Sequence, residues 1–201
     1  MKRKFDEIYQ FKVSIDEIKP LIWRQIQVPS IYTFWDLHVA IADSMGWLDY
    51  HLHMFELINP KDGSQEIIGY PDEDRFEDNP VHLPGWQLKI ADYFNLTNNK
   101  SKYIYDFGDN WIHTITLEKI LPRNKGVKYP VCIDGKRRCP PEDCGGISGY
   151  ENFLEIIMDP DDEEYESMLV WAGGNYDPED FIPSKVKFWD PAKRFKIAFS
   201  Q

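Results

Sequence analysis

The sequence predicts an α+β fold: a mixed β-sheet with one helix packed across it, followed by a C-terminal helical portion. Three observations predict it, namely strand-like alternation in the N-terminal part, one capped helical segment among those strands, and helix signals in the last third. We expect a single domain over 1–201, with a sheet half at 9–120, a motif loop at 121–147 and a helical half at 148–201.

The first predicted elements are two strands that form a hairpin. Apolar and polar residues alternate over 9–16 and again over 21–28, which is the period of a half-buried strand. Pro20 interrupts the pattern and Pro29 ends it, because proline cannot donate a ladder hydrogen bond. We therefore expect the two segments to pair.

A helix is predicted over 34–45, directly after the hairpin. Thr33 is a favourable N-cap residue, and Asp36 three positions later completes a capping-box pattern. Gly46 supplies the stop, since glycine readily adopts the left-handed conformation that ends many helices. We expect the apolar face of this helix to cover the sheet.

Further strands are predicted after the helix. Residues 51–58 have strand character, whereas 59–86 is rich in turn-forming and acidic residues and is interpreted mainly as a loop. A short helical turn at 88–94 precedes two strands, 102–107 and 111–120, that a Gly-Asp-Asn turn joins. The resulting order, β-β-α-β-β-β, is β-grasp-like.

The last third of the chain is predicted to be helical. Ser148 and Glu151 match a capping box that would open a helix over 149–158. Residues 161–172 begin with acidic side chains, which favour the start of a second helix. A third helix over 191–199 is predicted after an Asp-Pro pair.

Charge and hydropathy exclude several classes of protein. The net charge of −11 argues against broad, sequence-independent binding to nucleic acid, which depends on basic side chains. No apolar run approaches the length of a membrane helix, and the first residues lack the apolar stretch of a secretory signal. We expect a cytoplasmic protein without a membrane partner.

Three cysteines and two histidines form one candidate metal set. Thiolates and imidazoles are the ligands that zinc prefers, and a structural site uses four of them. The candidate ligands are Cys132, Cys139, Cys144, His51 and His53. Free or buried thiols, or a disulfide between Cys139 and Cys144, are the alternative interpretations.

Carboxylates near a histidine form a second candidate set. Combined, such side chains bind a hard divalent cation and support hydrolysis. The candidate catalytic residues are Asp106, Asp109, His113, Glu142 and Asp143. The structural alternative is that these carboxylates form turns and cap backbone N–H groups.

The seven tryptophans allow two interpretations. Aromatic side chains either fill the core under the helix or form a stacking platform for a base or a peptide proline.

The common catalytic motifs are absent from the sequence. It contains no nucleophile elbow, phosphate-binding loop, dinucleotide fingerprint or zinc-protease motif.

Six segments carry a resemblance to a known family. They are PLIWR at 20–24, DLH at 36–38, GW at 46–47, HLHMF at 51–55, YDFGDNWIH at 105–113 and CPPEDCGGISGY at 139–150. In this order they resemble the plasmid pRiA4b ORF-3-like family, over residues 9 to about 180.

The resemblance implies a link to plasmids and insertion sequences but no established activity. Some members carry a transposon-resolvase label, yet this acidic chain lacks recombinase features. We therefore expect a non-enzymatic interaction or accessory domain, with an unidentified protein as its partner. The alternative is a metal-dependent hydrolase, a phosphodiesterase or nuclease, built from the Asp, His and Glu residues named above.

Overall fold

One eight-stranded sheet organises the computed structural model, which describes residues 4–71 and 82–199. The strands are β1 (Glu7–Ile15), β2 (Trp23–Pro29), β3 (His53–Ile58), β4 (Gln65–Gly69), β5 (His82–Pro84), β6 (Lys100–Tyr105), β7 (Trp111–Pro122) and β8 (Val131–Lys136). Their order across the sheet is β5-β4-β3-β6-β7-β1-β2-β8. All neighbours are antiparallel except β4 and β5, so the sheet is mixed.

Four α-helices accompany the sheet among the described residues. They are α1 (Phe34–Met45), α2 (Gly146–Met158), α3 (Tyr165–Trp171) and α4 (Pro191–Phe199), with short 3₁₀ turns at Ile90–Asp92 and Pro183–Lys185. None of the helices in this part of the chain is long and apolar enough to cross a membrane.

The main core lies between α1 and one face of the sheet. Thr33 and Asp36 form the expected capping box, with bonds of 3.0 and 3.2 Å, and Gly46 ends the helix at a φ of 95°. Phe34 of α1 meets Phe55 of β3 edge to face at 5.1 Å. The predicted first hairpin and first helix are confirmed, and the α+β class with them.

Three short strands escaped the sequence prediction. β4 and β5 lie in the segment 59–86 that was interpreted mainly as a loop, and β8 lies inside the predicted motif loop 121–147. Residues 72–81 of the first segment lie outside the described residues. With these additions the strand order does not confirm the β-grasp-like arrangement.

The C-terminal helices differ from the prediction at their starts. The Ser148 capping box is wrong, because α2 begins at Gly146, after Gly145 in a left-handed conformation without a side-chain cap. The segment 161–172 is helical only from Tyr165, since Asp159 and Asp162 side chains bond backbone N–H groups two residues on and hold turns there. The helix predicted over 191–199 is confirmed.

The helix α4 packs its aromatic residues beside α1. Trp35 of α1 meets Phe195 at 5.5 Å and Phe199 at 5.6 Å, both edge to face. Phe199 also stacks on Tyr70, with 4.9 Å between ring centroids and 2° between ring planes. No described residue of α4 is itself fully buried, so the helix is held by one half-buried face.

Candidate metal centre

Four side chains from the sequence motifs meet at one place. His51 precedes β3, Asp106 follows β6, and Glu142 and Asp143 lie in the loop before α2. His51 Nε2 lies 3.6 Å from Asp106 Oδ2, 3.7 Å from Glu142 Oε2 and 3.1 Å from Asp143 Oδ1. The structure therefore brings together one imidazole and three carboxylates that are distant in sequence.

Asp106 is oriented by its own turn. Its Oδ1 accepts a 2.9 Å hydrogen bond from the Gly108 N–H, and its backbone N–H donates 2.9 Å to the Leu52 oxygen. The second carboxylate oxygen, Oδ2, is left facing His51. The turn that follows Asp106 therefore fixes one carboxylate oxygen and leaves the other directed at the site.

Glu142 is held in the same manner from another direction. Its Oε1 accepts from the Leu48 N–H at 2.7 Å and from the Tyr105 hydroxyl at 3.0 Å, while the hydroxyl is 3.4 Å from Oε2. Burial raises the pKa of the Glu142 carboxyl above its usual range. The hydrogen bonds from Leu48 and Tyr105 lower this pKa, but their effect is smaller than that of burial. Its Oε2 is the atom that faces His51.

The backbone at this site is unusual in two places. Asp106 has a φ of 58° and Asp143 a φ of 56°, the left-handed region that non-glycine residues seldom occupy. Such conformations persist where the surrounding structure enforces them, and they concentrate at functional sites. Asp143 is the solvent-facing member, with a side chain 67% exposed.

The donor set fits a divalent transition metal. Ligand atoms of His51, Asp106 and Asp143 all lie within 4.8 Å of one another. The buried His51 Nε2 makes no hydrogen bond with any described residue, although the Asp143 oxygen is near. One imidazole with several carboxylate oxygens suits Mn²⁺ or Zn²⁺, so these three residues would hold such an ion, and Glu142 Oε2 lies 3.7 Å from His51 Nε2 at the same place.

Two of the predicted catalytic residues lie outside this cluster. Asp109 Oδ2 accepts a 3.1 Å hydrogen bond from the Gly145 N–H, so Asp109 positions the loop that carries the ligands. His113 is fully buried, with Nδ1 2.9 Å from the Trp111 oxygen. Burial lowers the pKa of His113 to about 4, which makes it a neutral core residue.

His53 belongs to a buried histidine pair rather than to the cluster. Its ring stacks on His38 with 3.4 Å between centroids. His38 in turn lies 2.8 Å from the Tyr103 hydroxyl and 2.7 Å from Asp49 Oδ1. Burial holds the pKa of His53 well below its usual range, and the neighbouring His38 adds to this lowering.

Sequence reasoning did not assign His38 or Asp49 to a candidate site. The available signal was the helical spacing, because position 38 falls four residues after Phe34 on the apolar face of α1. A histidine at such a position is buried and needs polar partners.

The three cysteines lie in no group of metal-ligand side chains among the described residues. In the described residues they form no group of three metal-ligand side chains with His51 or His53, and all three are free thiols. Burial raises the pKa of Cys132 to about 11 and that of Cys144 to about 12, and it raises the pKa of Cys139 further.

Comparisons with known proteins find relatives without an assigned activity. A sequence model of the plasmid pRiA4b ORF-3-like protein family matches residues 7–185. The uncharacterized protein y4hQ of Sinorhizobium fredii (strain NBRC 101917 / NGR234) is 34% identical over 169 residues, which are 84% of this chain and 82% of that protein. The crystal structure of MM3350, a protein of unknown function from Methanosarcina mazei Go1, is similar at a TM-score of 0.85 and 49% identity, covering 92% of this chain and all of that one.

Proposed function

The chain belongs to the plasmid pRiA4b ORF-3-like family, and from the geometry of its motif residues we propose that it is a divalent-metal-dependent phosphodiesterase. One observation carries the proposal. Asp106 Oδ2, Glu142 Oε2 and Asp143 Oδ1 all lie within 3.7 Å of His51 Nε2, which makes no hydrogen bond with the described residues.

Each residue has a distinct role in this proposal. His51 and Asp106 would hold the ion from the protein side and the exposed Asp143 from the solvent side, while Glu142 Oε2, 3.7 Å from His51 Nε2, would add a further oxygen. A divalent ion held there would act as a Lewis acid and would lower the pKa of a water molecule bound to it. The Leu48 N–H and the Tyr105 hydroxyl fix Glu142, so that its position does not depend on the ion.

Calorimetric titration of EDTA-treated protein with Mn²⁺ and Zn²⁺ tests the site. We expect one ion per chain for at least one of the metals, and binding at least about tenfold weaker in His51→Ala and Asp106→Asn. Asp134→Asn is the matched control, because Asp134 Oδ1 also accepts from a backbone N–H, that of Gly135, at an exposed position of the edge strand β8. Equal affinities in all four proteins would sink the metal site.

The reaction requires a second measurement. We expect the metal-loaded protein to hydrolyse bis-p-nitrophenyl phosphate and His51→Ala to lose that activity. Metal binding without any hydrolysis would show that the chain is a metal-binding protein and would contradict the proposed phosphodiesterase activity.

An accessory protein that binds a partner is the second candidate function. Four exposed apolar side chains close to the cluster in sequence favour it, with exposures of 53%, 74%, 50% and 47% for Leu48, Tyr50, Leu52 and Phe107. Large exposed apolar groups mark interaction surfaces when they are contiguous. The test compares how strongly a purified partner protein binds the wild-type chain and the double variant Tyr50→Ser/Leu52→Ser. Loss of binding in the variant would support this role, and equal binding would contradict it.

A further inference from the structure

A groove adjoins the metal cluster and shares a residue with it. Its volume is about 1060 Å³, and it is bordered by the segment after α1, the loop before α2, the end of α3 and the segment before α4. Glu142 lines this groove while its Oε2 faces His51. A molecule lying in the groove would therefore reach the proposed metal position.

Two exposed tryptophans line the groove. The side chains of Trp171 and Trp189 are 48% and 53% exposed, although indole rings gain from burial. Trp171 rests on Phe153 edge to face at 5.8 Å, and the Arg194 guanidinium lies 5.0 Å from the Trp189 ring. Both indoles are thus supported from within the protein and remain open to a ligand.

Besides the buried Arg24, whose guanidinium bonds backbone oxygens, three cations that line the groove lack a carboxylate partner among the described residues. Arg138, Lys185 and Lys187 make no ion pair with any residue that the structure describes. The Arg138 guanidinium lies 4.5 Å from the Tyr176 ring and donates to a backbone oxygen, so its place is fixed. Five cations and three carboxylates line the groove, so its local charge is positive in a chain with a net charge of −11, and it is complementary to an anion.

We propose that this groove binds nucleotides, with a base stacked on Trp171 or Trp189 and the phosphates at Arg138, Lys185 and Lys187. Aromatic faces beside cations are the combination that proteins use for unpaired nucleotides. The size of the groove suits a mononucleotide or a short single strand, and the overall negative charge disfavours a long duplex.

The assignment of substrate rests on the proposed phosphodiesterase, whereas nucleotide binding does not. In the hydrolytic step, the oxygen of water bonds to phosphorus and one ester P–O bond breaks. One proton of the water goes to the leaving alkoxide and the other to solvent, so no further reactant is needed.

Binding is measured without metal, in EDTA, by the fluorescence anisotropy of a labelled ten-nucleotide single strand. In two separate competition titrations, AMP and a dinucleotide displace the labelled strand. Comparing their affinities shows whether the groove prefers a free nucleotide or a strand. With three phosphate contacts, we expect a slope of about −2 for the logarithm of affinity against the logarithm of salt concentration.

Groove variants test the assignment of residues. We expect Trp171→Ala and Trp189→Ala each to weaken binding about 5- to 100-fold, and Trp189→Phe to restore most of it. Lys185→Glu/Lys187→Glu would weaken binding and flatten the salt slope. The matched control is Lys125→Glu/Lys128→Glu, which reverses two exposed charges outside the groove and leaves binding unchanged.

The outcomes separate this proposal from the metal site. Binding in EDTA that depends on the groove residues supports the nucleotide site even if no metal binds. No binding of any of the three probes, or equal binding by the groove variants and the control, overturns it, and metal-dependent hydrolysis of the small ester would then stand alone.

Discussion

The backbone oxygen of Asp109 lies 2.6 Å from the position that a β-carbon on Gly146 would occupy. Gly146 also has a φ of 68°. We therefore expect Gly146→Ala to lower the free energy of unfolding by about 2–5 kcal/mol, from left-handed strain and overpacking together. Urea unfolding measures it, and weaker metal binding should accompany it because the ligand-bearing loop must move.

Gly173 supplies the matched control for this substitution. It has a φ of 87°, and nothing lies within 4 Å of its would-be β-carbon. Gly173→Ala should lower the free energy of unfolding by only about 1–2 kcal/mol. Equal decreases in the free energy of unfolding of the two variants would show that the close approach of Gly146 to Asp109 does not contribute to stability.

Removing the Tyr105 hydroxyl should weaken metal binding without removing a ligand. The hydroxyl donates 3.0 Å to Glu142 Oε1, and Tyr105→Phe leaves that oxygen with the Leu48 N–H alone. We expect the affinity for the ion to fall about tenfold, the usual effect of an outer hydrogen bond on a metal ligand. Calorimetric titration measures this change.

Tyr93→Phe is the control for that experiment. The Tyr93 hydroxyl also donates to a glutamate, at 2.7 Å to Glu66 Oε2, and neither residue belongs to the cluster. The two variants lose the same chemical group, so only Tyr105→Phe should change the affinity. A similar change in both would contradict a specific role for Tyr105.

Acid should destabilise the protein through its buried histidines. The pKa of His113 is lowered to about 4 and that of His53 lies well below its usual range, whereas unfolded histidine titrates near about 6.5. Between these values the unfolded chain binds more protons. The stabilisation by the two neutral histidines is therefore complete above about pH 6.5. As the pH falls from there towards the folded pKa of each histidine, the free energy of unfolding decreases by about 1.4 kcal/mol per pH unit for that histidine.

Urea unfolding at a series of pH values from 7 to 5 measures this loss. In His113→Phe one titrating group is removed, so the free energy of unfolding should fall less steeply with acid. Phe55→Leu perturbs the same core without removing a titrating group and should keep the parent slope. An unchanged slope in His113→Phe would refute the assignment.

Arg194 should stabilise two nearly buried carboxylates. Its Nη2 lies 3.6 Å from Asp43 Oδ1 and its Nε 3.4 Å from Asp49 Oδ2, and the two aspartate side chains are only 4% and 6% exposed. We expect Arg194→Met to lower the free energy of unfolding by about 3 kcal/mol, because both carboxylates remain without their cation. Denaturant unfolding at pH 7 measures it.

An exposed ion pair provides the comparison. Lys102 Nζ lies 3.6 Å from Glu56 Oε2, with the lysine side chain 46% exposed. Lys102→Met should change the free energy of unfolding by less than about 1 kcal/mol. If Arg194→Met were equally mild, the buried carboxylates would not depend on the arginine.

Local signals explain which parts of the fold were predictable. Thr33, Asp36 and Gly46 specify the bounds of α1 without help from the rest of the chain. Ser148 offered an equally good local cap, yet tertiary contact overrode it, because the chain turns at Gly145 to dock Gly146 on Asp109.

The candidate site was predictable only as a set of residues. Its geometry depends on the pairing of β3 with β6, which places His53 opposite Tyr105 and so brings the preceding His51 near Asp106. That pairing joins segments about fifty residues apart, which no local pattern specifies. Likewise, alternation grouped Trp111 with His113 on one face of β7 but could not tell that this face is the core.

The shallow docking of α4 has a consequence for the histidine pair. Ile197 and Ala198 of α4 line a cavity of about 260 Å³ that His38 and His53 also line. Elements with few buried side chains open at a lower free energy than the sheet they cover. We therefore expect local release of this nine-residue helix to open the histidine pair further to water and protons at a lower free energy than unfolding of the eight-stranded sheet.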